Sequence, residues 1–186
     1  PEAMKIAINL LLSIFLSTAT AFSQQGRPPA QVPPQGKMTA IKTLWAFGRE
    51  RGTELNRVVG IVGFYGQDQP LHWRLLANDA LERGMMREYI VENGRVISER
   101  RFRRQADQDM PSIVIPVAKL SLDSNQVFLL AEGAARADGV GFDSVHYQLR
   151  CRDLRNEPVW VLNLSDQAKK TVGVLYISAL NGEIIR

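Results

Sequence analysis

Asp79 and Asp166 have the clearest claim to chemistry, because two carboxylates at matching places in a chain can act as general acid and base or hold a divalent cation. Each follows an apolar strand pattern and precedes a polar connection, where aspartate closes turns, so a turn role is expected for both. Cys151 as a nucleophile would need a lowered pKa and a nearby base. His146 lies at an odd spacing from it, which places the two on opposite faces of one strand. The thiol is therefore expected in the core as a small apolar group. His72 adjoins Trp73 and should point away from the core, as a minor candidate for a surface contact. Asp138 and Asp143 surround Gly139 and Gly141 without the spacing of a calcium loop. One cysteine and two histidines exclude an internal disulfide and a Cys/His zinc site. No catalytic residue, cofactor or metal is assigned, and the chain is not read as an enzyme. A small hydrolase would require a deep pocket that brings Asp79 or Asp166 to His72.

The densest charge run is Arg100, Arg101, Arg103 and Arg104 around Phe102. Such a run can attract nucleic acid, an anionic polysaccharide or a lipid surface. It can equally be a solvated edge strand whose charges prevent strand-to-strand aggregation. Arg150, Arg152 and Arg155 can add to its field. The whole chain carries 23 Lys plus Arg against 19 Asp plus Glu, a formal charge of +4. With 186 residues, 45% hydrophobic and 23% charged, it has the composition of a folded globular protein rather than of a disordered or fibrous one.

The N-terminal stretch reads as an address. Pro1, Glu2 and Ala3 are set aside as extraneous, and the chain proper is expected to begin at Met4. Lys5, an apolar run from Ile6 to Leu16, and the small residues Ala19-Thr20-Ala21 have the order of a secretory signal peptide over residues 1–21. The run is too short for a spanning helix, which needs about 20 apolar residues. The mature protein is thus expected to be periplasmic or extracellular, without a transmembrane anchor. Residues 22–37, rich in proline and glutamine, read as a semi-rigid tether.

The elements that must position the remaining residues come in two copies. Trp73 and Trp160 stand 160 − 73 = 87 positions apart, and the same offset relates Val58 to Val145, Leu75 to Leu162, Asp79 to Asp166 and Tyr89 to Tyr176. One residue further on, Asn93-Gly94 matches Asn181-Gly182. In the first copy Ile41, Leu44, Trp45 and Gly48 form one face of a helix from about Thr39 to Arg51, stopped by Gly52. In the second, Asp123 or Ser124 caps a helix whose stripe is Val127, Leu130, Ala131 and Ala134, stopped by Gly139. Alternation then predicts a strand with Val58, Gly60, Val62 and Phe64 inward, matched by Val145, Tyr147, Leu149 and Cys151. The tryptophan strands and the strands of Tyr89 and Tyr176 follow, with these aromatics assigned to the core. Each Asn-Gly pair is expected to make a type I′ hairpin. The predicted fold is α+β, with two tandem repeats, each one helix on a three- or four-stranded antiparallel sheet, related by a pseudo-twofold. Repeat 1 covers residues 38–98, a connector 99–123 and repeat 2 residues 124–186. Each repeat alone is of marginal size, so the two gain by packing together.

This register leaves Val59, Ile61 and Tyr65 on the outward face of the first copy, to be covered by the connector, the second copy or a partner chain. Val159, Val161, Leu175 and Ile177 give the second copy a similar outward apolar content. The sheet face opposite the helices is therefore the leading binding surface.

The order helix, strand, tryptophan strand, strand and Asn-Gly turn resembles the PepSY domain family of secreted bacterial proteins. The likeness is strongest over Glu157-Pro158-Val159-Trp160-Val161-Leu162 and over Val174 to Ile185, and it extends across about residues 39–98 and 124–186. The resemblance implies binding and inhibitory roles in the cell envelope, including restraint of peptidases, with no catalytic residues to carry over. The paired layout is also similar to tandem-repeat secreted inhibitors that hold enzymes on a sheet surface. The sequence is accordingly read as an exported, non-enzymatic binding module for a protein or peptide, inhibition being one form of that role. The alternative is a polyanion-binding envelope protein led by the arginine run. A homodimer is compatible with either.

Overall fold

The computed structural model describes residues 37–105, 109–152 and 156–185. The expected signal peptide, the tether up to residue 36 and Arg155 lie outside the described residues. The fold is α+β: two helices against one face of a single antiparallel sheet of eight strands. In chain order the elements are α1 (Ala40–Arg51), β1 (Val58–Gly66), β2 (Trp73–Asn78), β3 (Met85–Glu92), β4 (Arg95–Arg103), α2 (Ser124–Ala137), β5 (Ser144–Arg152), β6 (Glu157–Ser165), β7 (Thr171–Ser178) and β8 (Ile184–Ile185), with short 3-10 turns after α1 and before α2. The sheet runs β4-β3-β2-β1-β5-β6-β7-β8, so β1 and β5 join two hairpin ladders into one surface. Among the described residues no helix is long and apolar enough to cross a membrane.

The helices are specified at their ends. Asp123 caps α2 in a reciprocal box with Gln126, which bonds back to the Asp123 amide at 2.8 Å. The same carboxylate reaches α1: it accepts from the Ile41 amide at 2.9 Å and from the Thr39 hydroxyl at 2.5 Å, while Ser124 Oγ accepts from the Ala40 amide at 3.0 Å. Two helix N-termini thus meet around one anion, where both macrodipoles favour negative charge. Gly52 ends α1 at φ 59°, and Gly139 follows α2 at φ 67°.

On α1 the buried positions are Ala40, Thr43, Leu44, Ala46 and Phe47, whereas of the predicted Ile41, Leu44, Trp45 and Gly48 only Leu44 is buried and Trp45 is 45% exposed. The helix is rotated so that Phe47 rather than Trp45 enters the core, where its ring lies 4.8 Å from that of Tyr89, tilted by 58°. On α2 the stripe is Val127, Ala131 and Ala135, and Leu130 remains partly exposed.

The core lies between helices and sheet. Trp73 is 2% exposed and Trp160 fully buried, with the Tyr147 ring between them at 5.8 and 6.4 Å. The Trp73 indole donates to the Met38 carbonyl at 2.8 Å and the Trp160 indole to the Leu122 carbonyl at 3.1 Å, so both polar handles are satisfied. Cys151 is buried in the same core, and burial pushes its thiol up to about 11.

Two registers differ from the sequence pattern. In β1, Val58 pairs with Ala77 but Gly60 with Leu76, so Val59 is an extra, bulged residue. A one-residue insertion inverts the alternation beyond it. Ile61 therefore faces the helices and belongs to the core, while Val62 and Phe64 turn to the opposite face. In the second ladder Trp160 pairs with Ile177 and Leu162 with Leu175, which puts Leu175 and Ile177 on the helix side too. Tyr176 points outward and is 47% exposed, whereas Tyr89 is buried. Ile61, Leu175 and Ile177 are thus removed from the outward binding set.

The two Asn-Gly pairs also make different turns. Asn93 and Gly94 both have positive φ (49° and 77°) between the paired Glu92 and Arg95, as a type I′ hairpin requires. At the other end Gly182 has φ 78°, but Asn181 is absent from the positive-φ residues, and Ile177 pairs with Ile184 across a longer loop. Three more residues between the strands remove the need for two left-handed positions.

Candidate functional site

The face of the sheet opposite the helices is built by the second residue of each alternation: Val62 and Phe64 on β1, Arg74 and Leu76 on β2, Glu88 on β3, Arg100 and Phe102 on β4, and His146 and Gln148 on β5. They border an open groove of about 980 Å³. Met110, in the connector after β4, packs with Phe102 against Val59, Leu76 and Met86 and closes one end. The connector, one of three covers considered for Val59, is thus what covers it. The crossing is close at Gly60, where a Cβ would sit 3.0 Å from the Pro111 ring.

Charge in the groove is arranged around one carboxylate. Glu88 accepts from Arg100 Nε at 2.6 Å and from a terminal Arg100 nitrogen at 3.1 Å. Arg74 Nε lies 3.2 Å from the same carboxylate without the alignment of a hydrogen bond. The Arg74 guanidinium covers the Phe64 ring at 4.7 Å, and Phe64 in turn lies 4.7 Å from the His146 ring. Burial, then the Arg74 charge, holds the His146 pKa below its ordinary value.

The strand period divides the arginine run. Arg100 and Arg104 belong with Phe102 on the groove side; Arg104 donates to the Pro111 carbonyl at 2.7 Å and to Asn78 at 3.3 Å. Arg101 reaches Asp79 at 2.9 and 3.1 Å and Glu82 at 3.0 Å, and Arg103 lies 3.5 Å from Glu82. Much of the positive field expected from the run is therefore neutralised by acids of the β2–β3 hairpin. Arg150 is likewise paired with Asp109 at 2.7 Å.

Asp79 has no exposed side-chain surface. It accepts from Arg101, from Arg87 at 2.9 Å and from the amides of Leu81 and Glu82. The two guanidinium contacts, Arg101 before Arg87, hold its carboxyl well below the usual range. Asp166 bonds the Lys170 amide at 2.9 Å and closes the β6–β7 hairpin. His72 is exposed at the opposite end of β2 from Asp79, so those two do not meet; it borders a separate open pocket with Asp143, Gln167 and Lys169, of which Asp166 is not a lining residue.

Of the outward candidates, Val59 is covered as described and Val159 is also buried; Val161 is half-buried beside the exposed Tyr176 and Val174. Tyr65 stands at a second bulge with φ 46°, under the Lys169 ammonium at 4.9 Å, at the groove's His146 end. Arg74, Glu88 and Phe64 were not singled out from sequence. The alternation Trp73-Arg74-Leu75 did mark Arg74 as outward, but nothing local said that Glu88 and Arg100 would join it across two strands.

Comparison with protein-family models, with curated proteins and with solved structures gave no match.

Proposed function

We propose that the chain is an exported, non-enzymatic binding module that holds a protein or peptide on the sheet face opposite its helices. The observation carrying this reading is the groove itself: an open trough across β1–β5 lined by interspersed apolar and charged side chains, on a sheet whose other face is filled by the helices. Asp79, Asp166 and Cys151 are committed to ion pairs, a turn and the core, which supports binding over catalysis. The exported location rests on the signal-peptide pattern.

We infer further that the two halves are copies of one unit related by an approximate twofold. Across the β1–β5 junction, Ile61 pairs with Leu149, Val62 with Gln148 and Gly63 with Tyr147. That junction is antiparallel, as a twofold between the halves requires, and the strand order β4-β3-β2-β1-β5-β6-β7-β8 sets the counterparts β2 and β6, β3 and β7, and β4 and β8 at equal places on either side of it. The equivalent indole bonds of Trp73 and Trp160 support the same reading. The PepSY-like order, helix then strands closed by Asn-Gly, accompanies it in both halves.

The test is affinity capture from the native envelope, read by mass spectrometry, with the wild-type chain, Tyr176→Glu, Gln148→Glu and the helix-side control Leu129→Glu. One stoichiometric protein lost with both face variants and kept with the control supports the reading; loss with the control alone contradicts it. The polyanion alternative is favoured by the exposure of Arg100 and Arg103. It requires a complex that weakens steeply with salt and disappears when those arginines become alanine.

A further inference from the structure

We propose that the groove selects an extended peptide segment bearing a carboxylate, which Arg74 receives beside Glu88. The inference rests on the sheet-face reading above and adds the chemistry of the partner.

Along this face the cations outnumber the anions. Arg74, Arg100, Arg103 and Arg104 border the groove against a single bordering carboxylate, Glu88. Arg103 leans on Glu82 outside it, and Arg104 is held by neutral oxygens. Glu88 is satisfied by Arg100, which grips both of its oxygens. Arg74 is left with only the unaligned approach of its Nε. Its terminal nitrogens form no hydrogen bond with the described residues, and its guanidinium carbon lies over the Phe64 ring at 4.7 Å. A guanidinium resting on an aromatic ring, with its fork uncommitted, matches a carboxylate in two parallel bonds. The next carboxylate to arrive would bring the Arg74–Glu88–Arg100 row close to charge balance.

The surroundings favour a peptide over a polyanion. Phe64, Phe102, Leu76 and Met110 supply apolar surface on either side of Arg74. A nucleic acid or sulfated polysaccharide, anionic at every unit, would meet the Glu88 carboxylate on its path. An extended segment with a carboxylate at one position and apolar side chains two residues before and after it turns all three to one face, so the carboxylate meets the arginine with an aliphatic group on each flank. At about 980 Å³ the groove is at the upper end of small-ligand sites.

The experiment is calorimetric titration of the full chain with a blocked pentapeptide whose central glutamate has valine at the second position on each side and serine between. Comparison ligands are its glutamine and lysine counterparts and a sulfated oligosaccharide. The glutamate peptide should bind, with the glutamine peptide about tenfold weaker, the loss expected for a charge-assisted contact. Arg74→Gln should produce a similar loss with an unchanged melting temperature, and Arg74→Lys should restore only part, lacking the fork. Arg104→Gln, if Arg74→Gln does not fold, should reduce the preference for glutamate over glutamine. Equal binding of the glutamate and glutamine peptides, tighter binding of the oligosaccharide, or indifference to both arginine variants would overturn the inference. Failure of the glutamate peptide would overturn it as well. If capture from the envelope still depends on Tyr176 and Gln148 in those cases, only the acidic specificity falls and the sheet-face reading stands.

Discussion

Trp73 and Trp160 perform the same task at two places: each buried indole donates to the carbonyl of the residue just before a helix N-cap, Met38 for α1 and Leu122 for α2. Each ring therefore ties a sheet strand to the start of a helix. Replacing either by phenylalanine strands a carbonyl and leaves a small void, at a cost of about 2 kcal/mol. Denaturant melts of Trp73→Phe and Trp160→Phe should show comparable losses; one silent substitution would mean that the two bonds are not equivalent.

Asp123 serves both helices, so its removal should cost more than one ordinary cap. Asp123→Ala is expected to lose about 2 kcal/mol or more, the upper end for an N-cap, because donors from Ile41 and Thr39 are orphaned together with that of Ser124. Amide exchange should rise at the first turns of both α1 and α2. Faster exchange in α2 alone would contradict the shared cap.

Asp79 couples stability to acid. Its folded carboxyl lies below its ordinary value of 3.8, held there by Arg101 and Arg87. The stability it adds is thus fully present above that value and is lost as the pH falls through the lower, folded one. Asp79→Asn should melt earlier than wild type at neutral pH, with the gap narrowing below pH 3.8. A gap independent of pH would show that the ion pairs are not its source.

His146 acts in the opposite chemical sense with the same direction in pH. Burial and then Arg74 depress its folded pKa below the ordinary 6.5, so the unfolded chain binds the proton first and stability declines as pH drops from 6.5 toward the folded value. Nuclear magnetic resonance titration should place the imidazole below 6.5, and Arg74→Gln should move it upward. No movement in that variant would separate the two side chains electrostatically.

The parts of this fold that follow from neighbours in sequence were legible there. The cap at Asp123 or Ser124, the terminating Gly52 and the Asn93-Gly94 turn depend on residues a few positions apart. The alternation around Trp160 likewise reports a face directly. What escaped depends on counting across gaps. The Val59 bulge inserts one residue and turns Ile61 inward, and the Trp160 to Ile177 pairing sets Tyr176 outward although its sequence match, Tyr89, is buried. The arginine run looked like free charge because its partners stand away from it in sequence, Glu88 across the β3–β4 hairpin and Asp79 and Glu82 around the β2–β3 turn. The groove escaped for the same reason, since Arg74, Glu88 and Arg100 meet only once three strands are in register.

The most direct test of the sheet-face account is photo-crosslinking in the native envelope from a reactive residue placed at Gln148, at Tyr176 or at Leu129 on the outer surface of α2. The account predicts one discrete protein adduct from the two sheet positions and none from Leu129. An adduct confined to Leu129 would contradict it.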